Sequence, residues 1–210
     1  MKKIILTLFI LLCAFTGFTG AQSEIIGFTV TSFPFYIYAD AFSKDNHFIP
    51  SGWMGDVGDI KFQNSCKINP KSGKTCIQIK YSAQNSQKAG WAGIFWQSPA
   101  NNWGTAKGGY NLTGAARCVF FARGEKGGET VEFKIGGITG DFPDTCSVSS
   151  DQIELTREWR KYEISISNEN LTYVSGGFCV VFSGTYNPDG CCFYLDDIMF
   201  EKNTDFAIKK

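Results

Sequence analysis

This chain of 210 residues reads as all-β, a two-sheet antiparallel sandwich. Short β-rich runs recur along it with turn residues between them, and almost nothing repeats with a helical period. Aromatic residues make up 15% of the chain and there are 23 glycines against 6 prolines, a composition for short strands joined by tight turns.

Nine runs qualify as strands. The first two, FPFYIYA (33–39) and DIKF (59–62), are short and rich in aromatic or β-branched residues, and TCIQIKYS (75–82) alternates apolar with polar. KINPKSGK, between the second and third, is a turn by composition. In WAGIFWQ (91–97) alternation puts Trp91, Gly93, Phe95 and Gln97 on one face, and assigns Ile94 and Trp96 on the other to the core. The glycine beside aromatic rings opens room for a ligand to approach the sheet. RCVFFAR (117–123) and ETVEFKIGG (129–137) are separated by RGEKGG, which lacks a following helix and a P-loop lysine and reads as a hairpin turn. In the second of these, Val131, Phe133 and Ile135 share one face and leave Glu132 and Lys134 on the other, so one sheet presents a wet, charged surface. RKYEISI (160–166), GGFCVVFS (176–183) and CFYLDDIMFE (192–201) complete the set, and helix is confined to a turn or two.

The chain begins with Lys2 and Lys3, an apolar run from Ile4 to Phe18, then Thr19, Gly20 and Ala21. That order has the form of a secretory signal peptide, residues 1–21, cleaved after Ala21. Cys13 is discounted as a lipoprotein site because Leu12 stands where a small residue is wanted. Residues 22–201 then form one domain with one core, and 202–210 a short C-terminal tail. The expected product is an extracellular monomer with no membrane contact once the leader is gone. Seven cysteines remain in it, Cys66, Cys76, Cys118, Cys146, Cys179, Cys191 and Cys192, and an oxidising compartment permits disulfides among them. Cys66 and Cys76 flank the KINPKSGK turn and can close a short loop, while Cys76, Cys118 and Cys179 sit in apolar strand patterns and equally suit buried thiols. With no CxxC pair and His47 as the sole histidine, a zinc site is disfavoured.

Twenty acidic and twenty basic residues cancel, so no net field recruits nucleic acid or an anionic membrane, and the partner is expected to be neutral. GWAGIFWQSPANNWG (90–104) sets three tryptophans and a phenylalanine beside the amides of Gln97, Asn101 and Asn102. Flat apolar faces next to amide groups suit a sugar, which is apolar on its ring faces and polar at its rim. Trp53, in IPSGWMGDVGD, and Trp103 lie in loop contexts. Catalysis is not indicated: Glu125, Glu129, Asp141 and Asp144 show no catalytic spacing, and His47 alone supports no Ser-His-Asp arrangement.

The closing FYLDDIMFE, preceded by GGF and EWRKYEISI, together with GWAGIFWQSPANNWG, GGYNLTGA and FFARGEKGGETVEFKIGG, carries a family pattern. Over nearly the whole mature chain it resembles the jelly-roll carbohydrate-binding modules attached to secreted glycoside hydrolases, which are galactose-binding-like β-sandwiches. The resemblance implies two sheets, sugar binding on a concave sheet or at loop tips, often a structural calcium, and no catalysis. Such modules often carry further tryptophans where this chain has Phe121 and Val180. The expected carbohydrate-binding residues are Trp91, Phe95, Gln97, Phe121, Arg123 and Glu132 on one concave face, provided the sheet registers match, with Trp103 at its rim. Rings would stack on the sugar while Arg123 and Glu132 bond its hydroxyls. The expected calcium ligands are Asp40, carbonyls of NPKSGK, and Asp196 or Asp197, because hard cations gather oxygens and a buried unpartnered carboxylate is costly. Two other functions stay open, an adhesive surface protein that uses the sandwich for protein contacts and a small glycan-active enzyme. Exposure of Trp91, Phe95 and Trp103 along a groove favours the sugar reading; two carboxylates facing each other across it favour the enzyme.

Overall fold

The computed structural model describes residues 26–202, so the signal peptide and the tail beyond Lys202 lie outside the described residues. Within them fourteen strands follow one another: β1 (Phe28–Thr29), β2 (Phe35–Tyr38), β3 (Ile49–Gly55), β4 (Ile60–Cys66), β5 (Cys76–Tyr81), β6 (Trp91–Gln97), β7 (Tyr110–Asn111), β8 (Arg117–Gly124), β9 (Thr130–Gly136), β10 (Ser147–Ser149), β11 (Ile153–Glu154), β12 (Arg160–Ser165), β13 (Gly176–Ser183) and β14 (Cys191–Glu201). The helical content among them is one 3-10 turn, Val57–Asp59. One sheet runs β10-β9-β13-β6-β3, with β11 also on β9; the other runs β12-β8-β14-β5-β4, with β2 also on β14. Every pair within these two sheets is antiparallel. β1 and β7 add a two-residue parallel pair.

All nine expected runs are strands, and their alternation predicts which side is buried. Ala92, Ile94 and Trp96 of β6 and Val131, Phe133 and Ile135 of β9 point into the sandwich and are buried. Across it, Phe120 of β8 meets Phe133 at 4.4 Å and Phe178 of β13 at 5.2 Å, and Trp96 packs edge-on against Phe178 at 5.6 Å. Burying each such ring contributes about 1.5–3 kcal/mol.

Two expectations fail at the level of strand order. β3, with Pro50 and Gly52 in it, looks like a loop in sequence, yet it forms the edge of the β6 sheet, where a residue without an N–H costs no ladder bond. Trp53 is therefore a strand residue, and its ring closes the sandwich edge against Phe62 of β4 at 5.6 Å. RGEKGG is not a hairpin: β8 and β9 belong to different sheets, and the segment carries the chain from one to the other. Glu129 shapes that crossing by accepting from the N–H groups of Lys126 (2.8 Å) and Gly127 (2.9 Å). The apolar sides of the two strands meet face to face, and that buries more ring area than lying side by side.

Candidate functional site

The outward side of the β6 sheet is built from residues the core rejects. Along β6 these are Trp91, Gly93, Phe95 and Gln97. The register sets Cys179 and Val181 of β13 beside Phe95 and Gly93, and Gly52 and Met54 of β3 on their other flank. β9 adds Lys134 next to Cys179 and Glu132 next to Val181. Met54, Trp91, Phe95, Lys134, Cys179 and Val181 line a depression of about 320 Å³. Gly93 keeps it open, since a Cβ there would come within 2.9 Å of the Met54 methyl. Trp91 stands at one end, 38% exposed, while Phe95, only 7% exposed, is floor and not platform.

A second indole stands above that floor. Trp103 is 42% exposed and lies edge-on to Phe95 at 6.1 Å. Its loop is fixed from beneath. Asn102 Oδ1 accepts from the N–H groups of Gly104, Thr105 and Ala106 at 3.1–3.2 Å, and its Nδ2 donates to the Ala106 carbonyl at 2.9 Å. Gln97 Nε2 donates to the Asn102 carbonyl at 2.9 Å, and Gln97 Oε1 accepts from Ser51 Oγ at 2.9 Å. The Gly104 carbonyl, in a residue with φ +81°, accepts from Phe142 N at 2.9 Å. Gly52 provides the seat, because a Cβ there would meet Phe95, Gln97 and Trp103 at 2.7–2.9 Å. Gln97 and Asn102 are thus buried, each hydrogen-bonded through both its amide oxygen and its amide nitrogen; Gln97 positions Trp103 and does not face a ligand.

Charge on this face is sparse and paired. Glu132 binds Lys134 Nζ at 2.9 Å and also takes the Ser149 hydroxyl. Partial burial works against its charge, but Ser149 and Lys134 outweigh that and hold the carboxyl below its usual range. Asp144, at the far end, accepts from Ser175 N, Ser175 Oγ (2.7 Å), Gly176 N and Ile138 N, while burial pushes its carboxyl up. Glu132 stands beside Val181 and Asp144 beside Gly176, so five residues of strand, on the order of 16 Å, separate them. Glycosidase carboxylates sit roughly 5–10 Å apart.

Phe121 and Arg123 are not part of this surface. They lie on the outward side of the other sheet because β8 pairs with β12 and β14. Lys71 Nζ lies 4.8 Å from the Phe121 ring centre. The Arg123 guanidinium stacks over Tyr194 at 3.7 Å and reaches Trp159 at 5.2 Å, and its Nη2 donates to the Ile68 carbonyl at 3.2 Å. It holds a loop in place. Val180, the other position where a tryptophan was looked for, points into the core, so neither position faces the depression.

Sequence reasoning placed Trp91, Phe95 and Glu132 on one face and Trp103 near it. It missed Met54, Cys179 and Val181. The alternation of GGFCVVFS, with Phe178, Val180 and Phe182 inward, carries the signal for the last two; β3 carries none for Met54.

Asp40, Asp196 and Asp197 do converge on one loop, residues 67–75. Asp40 accepts from Thr75 N (2.8 Å), Thr75 Oγ1 and Lys74 N (3.1 Å). Partial burial opposes its charge, but those bonds prevail and keep the carboxyl below its usual range. Asp196 Oδ2 accepts from Lys71 N at 2.8 Å, and Asp197 Oδ1 from Ser72 Oγ at 2.8 Å. A bulge in β14, with Asp197 at φ +48°, lets two adjacent aspartates reach the same loop. Burial, then the neighbouring Asp197, pushes the Asp196 carboxyl up to about 7. Among the described residues no lysine or arginine forms an ion pair with any of the three. Among those same residues, no three acidic, histidine or cysteine side chains cluster tightly enough to hold a metal by themselves.

No protein-family model matches the sequence, and no curated protein matches it. Solved structures do. A family 30 carbohydrate-binding module of a cellulosomal cellulase of Clostridium thermocellum is similar over 82% of this chain and 99% of its own, at 13% identity and a TM-score of 0.58. A family 11 carbohydrate-binding module from Clostridium thermocellum, solved with a β-1,3-1,4-mixed-linked tetrasaccharide, is similar over 79% of this chain and 94% of its own, at 14% identity and a TM-score of 0.52. The fold is the jelly-roll sandwich of carbohydrate-binding modules.

Proposed function

We propose that this chain is a secreted, non-catalytic module that binds a neutral polysaccharide on the outward side of the β6 sheet. The observation that carries the reading is the pair of exposed indoles, Trp91 and Trp103, at an apolar depression floored by Phe95. A sugar ring stacks on a flat apolar face, and an extended chain of them covers two such faces along a strand. Lys134 and Glu132 at the edge offer hydrogen bonds to hydroxyls, while the wide gap between Glu132 and Asp144 suits binding without cleavage. Fixing a flexible glycan costs entropy, so the affinity expected is on the order of micromolar to millimolar. Because the ligand is neutral, salt has little effect. The family 11 module of the same fold was solved with a β-1,3-1,4-mixed-linked tetrasaccharide, which makes that oligosaccharide the first probe. A glycan array on the mature protein, followed by pull-down on the insoluble polysaccharide, tests the reading; no retention on any glycan, or retention unchanged when both indoles are removed, refutes it.

The same reading includes a structural calcium at Asp40, Asp196 and Asp197. Supporting it are their convergence on loop 67–75 and the buried Asp196 carboxyl beside a second aspartate. The ion would neutralise charge that the chain's own residues leave unpaired. Its place is on the opposite sheet from the indoles, so it serves stability and not sugar contact.

A further inference from the structure

We propose that Cys66 and Cys76 form a disulfide that closes the base of the loop 67–75. The two stand directly opposite each other where β4 pairs with β5. Directly opposed residues of an antiparallel pair hold their Cβ atoms about 4.5–5.5 Å apart, beside the 3.5–4.5 Å that a disulfide uses. Both are buried. Both sulfurs also meet one peptide group: Ile68 N–H donates to Cys66 Sγ at 3.4 Å, and the Cys76 thiol donates to the Ile68 carbonyl at 3.8 Å. Cys192 packs in the same small cluster, but it pairs with Lys80, four residues along β5 from Cys76. That is on the order of 13 Å, beyond disulfide reach. Cys118 on β8 and Cys179 on the outward side of β13 lie on other strands, and Cys146 lies in the segment before β10.

Apart from that tie, the loop between the two cysteines is held by polar contacts. Lys67, Ile68, Asn69 and residues 71–74 are exposed, so no apolar burial pins them. Its attachments are polar: Ile68 and Asn69 carbonyls accept from Arg123 and from Trp159 Nε1, and its amides bind Asp196 and Asp40. A covalent tie at the base keeps those donors and acceptors aligned, and removes freedom the loop would otherwise recover on unfolding.

The bond forms by exchange. One thiolate attacks a disulfide of an oxidant, either a protein or a small-molecule disulfide of an oxidising compartment, and expels one thiolate. The second cysteine, deprotonated, attacks the resulting mixed disulfide and expels the other. Two protein thiols are oxidised, one disulfide is reduced to two thiols, and the protons pass to the departing sulfurs. Both sulfurs are buried in the folded sandwich, so oxidation belongs to folding, before the strands close over them.

The test refolds the full chain in a glutathione redox buffer or in dithiothreitol, alkylates free thiols and maps peptides by mass without reduction. Cys66 joined to Cys76 is expected in the oxidised sample; both alkylated, or either joined elsewhere, overturns the proposal. Thermal melts of oxidised and reduced wild type should differ by roughly 5–10 °C for a ring of this size. The double variant C66S/C76S should melt with the reduced form and be indifferent to dithiothreitol. Should the variant fail to fold, the wild-type pair of melts decides alone, and coincident curves overturn the proposal.

Discussion

Replacing Trp103 by alanine should weaken glycan binding five- to seventyfold while the sandwich stays folded. A tryptophan side chain carries up to about 250 Å². At 42% exposure, about 100 Å² of Trp103 is available to a ligand. Covering all of it would contribute about 2.5 kcal/mol at 25 cal/mol per Å²; covering one ring face gives about half. A loss of about 1–2.5 kcal/mol corresponds to that range in Kd. The rest of the ring rests on Phe95 and Gly52, so the variant should also lose a few degrees of Tm without losing its fold. Isothermal titration with the β-1,3-1,4-mixed-linked tetrasaccharide, or whichever glycan the array selects, measures the first effect, and circular dichroism melts measure the second. Trp91→Ala, with 38% exposure, should behave alike; Phe121→Ala, on the opposite sheet, should leave Kd unchanged. Unaltered affinity in both tryptophan variants, or a loss in Phe121→Ala equal to theirs, would refute the placement of the site.

Gly52→Ala should dislodge Trp103 without removing it, because its Cβ would lie 2.7–2.9 Å from Phe95, Gln97 and the indole; binding should fall at least as far as in Trp103→Ala, and retention of wild-type Kd would show that the seat is not needed. Chelation should lower Tm by several degrees if calcium fills the Asp40–Asp196–Asp197 site, and identical melts with and without chelator would remove calcium from the reading. In chelated protein the raised Asp196 carboxyl binds its proton more tightly folded than unfolded, so its own contribution to stability is fully present below about pH 4 and declines until about pH 7. Asp196→Asn should abolish that decline, which urea melts across pH 4–8 would record. Binding should change less than twofold between 50 mM and 500 mM salt, and a steep salt dependence would instead point to a charged ligand.

Much of the fold was legible because strand alternation is a local property. The inward set of β9 and the split of β6 into Trp96 inside and Trp91 outside follow from a period of two, whatever the strands pair with. The turn chemistry of KINPKSGK, the paired aspartates of LDDI and the indoles around SPANNWG were likewise visible as clusters of residue types. Partnership between strands was not. RGEKGG has the composition of a hairpin, and only packing sends its two flanking strands to opposite sheets so that Phe120 and Phe133 meet across the core. That choice removed Phe121 and Arg123 from the sugar face and made Arg123 a brace for loop 67–75. β3 was hidden because an edge strand tolerates proline and glycine, and with it went Met54 and the seat at Gly52. Gln97 kept its predicted face, but tertiary structure spent its amide on the loop that carries Trp103. A sequence records which side of a strand is apolar; which polar groups are consumed internally, and which strands become neighbours, are settled only when the buried donors and rings compete for partners at once.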